Sequence, residues 1–141
     1  MNDLIKNIES PHSIFLADEI NKLELQGSEI TKVHNGEPYI KTPEYIKSSL
    51  IVELFNNNTD YCNSQGLIEL RETIASYYNN LYCNNINSKN ILITPGAVNA
   101  IYISFKAILK KNDQVIIIDP SWPQYKNIAK LMDANITNIS T

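Results

Sequence analysis

Two short runs in the second half of this 141-residue sequence carry residue types suited to chemistry. Thr94-Pro95-Gly96-Ala97-Val98-Asn99 is built of small residues where an apolar run gives way to a helical pattern. Small residues at a helix N-terminus let backbone N–H groups approach an anion, and the helix dipole favours negative charge there. A phosphate is the natural guest, although tight packing of a strand-to-helix turn uses the same residues. Asp119-Pro120-Ser121-Trp122-Pro123-Gln124-Tyr125 sets two aromatics and two prolines at the end of a second apolar run. Open α/β sheets bind ligands at that edge. Prolines fix the path of the loop, so Trp122 can stand as a rigid face for stacking. Capping the core is the other use such a tryptophan has.

The remaining reactive side chains give weaker signals. His12 and His34 have no companion at metal-ligand spacing, and Cys62 and Cys83 fit neither a metal motif nor a disulfide scaffold. Ser121 lacks the Gly-x-Ser-x-Gly elbow and a base, which speaks against a serine hydrolase. Asp60, Asp113 and Asp119 read as turn or strand-end residues. Arg71, the only arginine, reads as a structural residue on a helix, in a salt bridge or a cap.

These runs need elements to hold them. Ile14, Ala17, Ile20 and Leu23 predict a helix over 13–26, stopped at Gly27. Residues 29–34 alternate as a short extended run would, and Asn35-Gly36-Glu37-Pro38 is a turn. Thr42-Pro43-Glu44 predicts a helix start with a hydroxyl N-cap and proline at the first helical position. Ile46, Leu50 and Leu54 then mark one face, and Asn56-Asn57-Asn58 ends it. A further helix carries Leu67, Leu70, Ile74, Tyr78 and Leu81 as a stripe. From Ile91 the pattern becomes strand (91–94), helix (to about Lys110), strand (115–118), helix (to about Met132) and strand (135–139). That is the start of a parallel α/β layer, with the second strand apolar throughout, as strands covered on both faces are.

Composition sets the class. Apolar residues are 43% and charged residues 19% of the chain, as in globular proteins. A net charge of −3 and a pI near 5.3 argue against a nucleic-acid partner, which would need a concentrated basic face. The densest basic spot, Lys110-Lys111, suits a helix end instead. No run is apolar enough to span a bilayer, and residues 1–6 carry no secretory signal. No membrane association and a cytoplasmic setting are expected.

The order Gly36-Glu37-Pro38, Thr42-Pro43, Tyr61 to Gly66, Leu70-Arg71-Glu72, Thr94-Pro95-Gly96-Ala97 and Pro120-Ser121-Trp122-Pro123-Gln124-Tyr125 resembles the class I/II aminotransferases over about residues 10–141. The resemblance implies fold type I and the cofactor pyridoxal 5′-phosphate (PLP). Residues 1–45 would form an N-terminal helical arm and part of a small domain. Residues 46–141 would be the start, β-α-β-α-β, of the large PLP-binding domain. Gly96, Ala97 and Val98 would present backbone N–H groups to the PLP phosphate. Trp122 would stack on the pyridine ring and brace it against the substrate, and Gly36 would pass near the substrate carboxylate. Tyr61 would reach across a homodimer interface to the phosphate of the neighbouring subunit.

Family members are more than twice as long, and the cofactor-bearing lysine, the acid on the pyridine nitrogen and the carboxylate-binding arginine would lie beyond Thr141. Ser104-Phe105-Lys106 superficially matches the lysine motif but falls mid-helix, where Lys106 is expected to be solvated. The family activity is reversible amino transfer between an amino acid and a 2-oxo acid. This chain is expected to be an N-terminal portion without transaminase activity of its own. Half of a split enzyme completed by a second chain, and a non-catalytic α/β interaction module, are the alternatives. Related fold type I enzymes also carry out lyase and decarboxylase reactions with similar front halves.

Overall fold

The computed structural model describes residue 8 and residues 12–34, 36–83 and 85–141. Asn35, one residue of the expected turn, lies outside them. In order, the elements are α1 (His12–Leu25), α2 (Glu44–Phe55), α3 (Ile68–Tyr82), a 3-10 turn (Ser88–Asn90), α4 (Ala97–Ile108), β1 (Gln114–Asp119), α5 (Pro123–Leu131) and β2 (Asn135–Ser140). The contacts divide them into two compact units. One joins the described residues up to Glu37 with Gly96–Thr141, and the other is Pro38–Pro95.

In the first unit β1 and β2 pair in parallel, with Gln114 opposite Asn135 and Ile118 opposite Ile139. The crossover between them is α5, which packs on both strands and on α4. Ile117, Ile128, Ala129 and Met132 are buried together there. The first of the three expected strands, residues 91–94, makes no ladder among the described residues: Ile93 N–H donates to Gln65 O at 3.0 Å instead. An apolar run becomes a strand only where an edge is in register beside it, and this one meets a loop. The described sheet is therefore β1-β2, and the expected β-α-β-α-β order is corrected to α-β-α-β.

A second correction concerns β1 itself. Its apolar run suggested cover on both faces, yet α5 covers only the Ile117 face. Ile116 and Ile118 are 66% and 60% exposed, and Ile139 on the same face is 47% exposed. Residues 29–34, expected as a short extended run, take no helix and join no ladder among the described residues.

The helix ends follow local chemistry. α1 stops where Gly27 takes φ +86°, and Ser28 N–H reaches back to Leu23 O at 3.0 Å, as helix-ending glycines do. α2 begins one residue later than expected: Pro43, not Thr42, is the N-cap, with no side-chain cap. Its C-terminus falls at Asn56, with Asn57 left-handed at φ 58°. Nothing on α2 is buried, so its Ile46/Leu50/Leu54 face is uncovered. On α3 the expected stripe is largely exposed, while Arg71 and Ala75 are the buried positions. The 3-10 turn packs on that side, and it is Arg71 that binds it.

Candidate functional site

The turn before α4 is set by Gly96, its N-cap, with φ 89° and ψ 162°. L side chains rarely adopt that backbone. A Cβ added at Gly96 would meet nothing within 4 Å, so the glycine answers to the backbone and leaves open space beside it. The amides of Ala97, Val98 and Asn99 occupy the first three helical positions and have no carbonyl four residues back inside the helix. The first helical bond is Ala100 N–H to Gly96 O, 3.3 Å. No acidic residue lies in the first turn, and Ala97 and Val98 are exposed. This arrangement can accept an anion.

Trp122 is the N-cap of α5, directly after the Asp119–Trp122 loop, with Pro123 opening the helix. Its indole meets the Tyr125 ring edge to face, 5.6 Å between centroids at 86°, a favourable aromatic geometry. It stays 41% exposed, so part of the residue remains open to another group. The loop is tied at its base. Asp119 Oδ2 pairs with Lys126 Nζ at 2.6 Å, and Asp119 O accepts from Thr141 N–H at 3.1 Å and from Thr141 Oγ1 at 3.2 Å. Ser121 Oγ lies 3.5 Å from the other carboxylate oxygen.

The Gly96 turn, Trp122 and Gly36 fall in one compact unit, and Tyr61 falls in the other. Gly36 is exposed, and its backbone lies outside the left-handed region. Tyr61 is fully exposed. Lys106 is exposed on α4, as expected of a solvated lysine. Arg71 is structural: Nε donates to Gly66 O at 3.2 Å, and Nη1 donates to Gln65 Oε1 and Ser88 O at 2.9 Å each. It thus ties the 65–66 loop to the 3-10 turn through oxygens of uncharged groups rather than through a salt bridge.

A cavity of about 430 Å³ lies elsewhere, in the Pro38–Pro95 unit, lined by Glu72, Ser76, Asn79, Asn80 and Asn87 among others. None of the sequence candidates lines it. Asn79 there is spent on the backbone of Ile86, donating at 2.8 Å and accepting at 2.9 Å. Among the described residues no cluster of His, Cys, Asp and Glu could hold a metal, and no helix is long and apolar enough to cross a membrane. Sequence reasoning missed Lys126. It stands seven residues after Asp119, across a loop and into a helix, where no periodicity relates the two.

The family model described as aminotransferase class I and II matches residues 28–141. The (5-formylfuran-3-yl)methyl phosphate transaminase of Methanocaldococcus jannaschii is 33% identical over 128 residues, covering 91% of this chain and 35% of that protein. An aspartate aminotransferase of Pyrococcus horikoshii is 36% identical over 104 residues, covering 74% of this chain and 27% of its own length. The crystal structure of aspartate aminotransferase from Thermotoga maritima superposes with a TM-score of 0.93 at 26% identity, covering 100% of this chain and 38% of that one. The chain thus spans about a third of the length of the curated relatives it matches.

Proposed function

The chain belongs to the class I and II aminotransferases, and from that premise we propose that it carries the phosphate- and ring-binding part of a PLP site. The reaction served is amino transfer between an amino acid and a 2-oxo acid. The observation that carries this reading is the Gly96 turn: positive φ, open space where a Cβ would stand, and exposed residues Ala97 and Val98 in the first turn. These features fit a phosphate. Ala97 and Val98 would hold it with backbone N–H groups, and Trp122 would lie against the pyridine ring. Bound PLP would supply an electron sink for the electron pair left when a bond at the amino-acid carbon breaks. The chain's own residues bind and orient: the helix dipole of α4 offsets phosphate charge, and Trp122 excludes water from one ring face.

None of the described lysines stands in the Gly96 or Trp122 turns, and Lys126, the closest in sequence, is committed to Asp119. By itself the chain would bind the cofactor without turnover. The division into an arm with part of a small domain (1–45) and a large-domain start (46–141), homodimer formation with Tyr61 reaching across, Gly36 near the substrate carboxylate, and a cytoplasmic setting belong to the same proposal.

The test uses pyridoxamine 5′-phosphate, which cannot condense with surface lysines, titrated against the fluorescence of the single tryptophan. Saturable quenching, competed by inorganic phosphate, is expected. Ala97→Pro removes one phosphate-facing N–H at the helix position where proline is best tolerated. It should weaken binding about 10-fold, or about 1.4 kcal/mol, with the far-UV spectrum unchanged. No saturable quenching by the wild type, or equal affinity in the variant, would sink the reading.

A further inference from the structure

We infer that Lys126 is a positioning residue for Trp122, acting through Asp119 as a latch across the loop between β1 and α5. Asp119 ends β1, Trp122 caps α5, and Lys126 sits on the first turn of α5. The 2.6 Å contact between Lys126 Nζ and Asp119 Oδ2 therefore closes the chain on itself across the segment that carries the indole. Both side chains are mostly withdrawn from water, at 32% and 25% exposure. That lessens the screening which makes fully exposed pairs nearly worthless. The strand end is held independently, because the backbone and hydroxyl of Thr141 both donate to Asp119 O. With Asp119 fixed by the sheet, the ion pair fixes the start of α5 relative to it. The loop between, Pro120–Trp122, has little freedom left.

Tyr125 completes the arrangement. Its ring packs edge to face on Trp122, and its N–H donates to Trp122 O at 3.2 Å. Tyr125 and Lys126 are neighbours on α5, so releasing Lys126 loosens the turn that carries both the indole and its aromatic support. Losing the lysine would also leave the Asp119 carboxylate partly buried without its cationic partner, with Ser121 Oγ at 3.5 Å. The functional consequence rests on the proposed role of Trp122 at the cofactor ring, whereas the latch itself does not.

Because Trp122 is the only tryptophan, its acrylamide quenching and fluorescence anisotropy read the latch directly in the unliganded chain. Lys126→Met should raise the quenching constant roughly two-fold and lower the anisotropy, as local loosening does. Lys126→Arg should stay near wild type, and Lys106→Met, removing an exposed lysine elsewhere, should change nothing. Asp119→Asn should match Lys126→Met, and the double variant should go no further than either single one, as partners in one interaction do. With ligands, Lys126→Met should weaken pyridoxamine 5′-phosphate several-fold while leaving inorganic phosphate unchanged, separating the ring face from the phosphate turn. Should Lys126→Met fail to fold, Asp119→Asn and Lys126→Arg carry the same comparison. Unchanged quenching and anisotropy in Lys126→Met, or additive effects of the two variants, would overturn the inference. Loosened fluorescence in a chain that binds neither ligand would uphold the latch and reject the proposed function.

Discussion

A Cβ placed on Gly66 would sit 2.4 Å from Cγ1 of Ile93, and the residue's φ is +97°. Two separate physical demands thus meet at one position: a left-handed backbone and a close approach by a side chain. Gly66→Ala should destabilise the fold by about 2–3 kcal/mol in urea unfolding. Adding Ile93→Ala should relieve only part of the steric cost, because Cβ of Ile93, 2.6 Å from the added atom, remains, and it leaves the cost of the backbone. A full rescue would show that the backbone term is absent. The same neighbourhood explains Arg71. Its place on a helix and its structural character could be read from sequence. Its actual bonding, to Gly66 O, Gln65 Oε1 and Ser88 O, could not. Those partners come from a loop before the helix and a turn after it. The candidate site divides the same way: the types and order of Gly96, Ala97, Val98 and Trp122 were legible, and the Lys126–Asp119 pair beside them was not.

The two strands are brought into register by the loops that precede them. Asn112 N–H donates to Asp133 O at 2.8 Å, Asn135 N–H donates to Asp113 O at 2.8 Å, and Asn135 Nδ2 donates to Asn112 O at 3.0 Å. Asn112 and Asp133 both take positive φ, 67° and 56°, which short polar side chains tolerate best. Lys111 adds an ion pair to Asp133 at 2.7 Å. The hydrogen bond and the charge of that carboxylate hold the ammonium above the ordinary lysine range. A raised folded-state value means that the lysine's contribution is fully present below the unfolded lysine value, about 10.4, wherever its carboxylate partner carries its charge. The contribution is lost as pH rises through the folded value. Lys111→Met should therefore unfold slightly more easily than wild type at pH 8, and the difference should fade as the pH rises through the raised folded-state lysine value. A difference that persists at the highest pH would assign the effect to packing rather than charge. Helix existence was readable at this scale from periodicity, with ends correct to within a few residues. The register of β1 on β2 was not, because it depends on which loop atoms meet.

Among the described residues the buried apolar side chains are Ala75, Ile117, Ile128, Ala129 and Met132, while Ile116, Ile118 and Ile139 share an open sheet face. A contiguous apolar face next to unpaired strand edges favours association. Sedimentation velocity should show concentration-dependent self-association of the chain. Ile118→Lys, a change on the exposed face, should reduce it without lowering the unfolding midpoint. Association unchanged by that substitution would locate the sticky surface elsewhere, with the uncovered helix α2 the next to test. A chain that spans about a third of its relatives' length nevertheless superposes on one of them with a TM-score of 0.93. Family and fold class were legible in the linear order of short motifs, because turn chemistry and apolar periodicity are local properties. Tertiary structure alone decided that residues 91–94 form no ladder, that β1 is covered on one face, and that Lys126 clasps Asp119. Each of these depends on what stands opposite a residue across space, and neither residue type nor spacing along the chain encodes that.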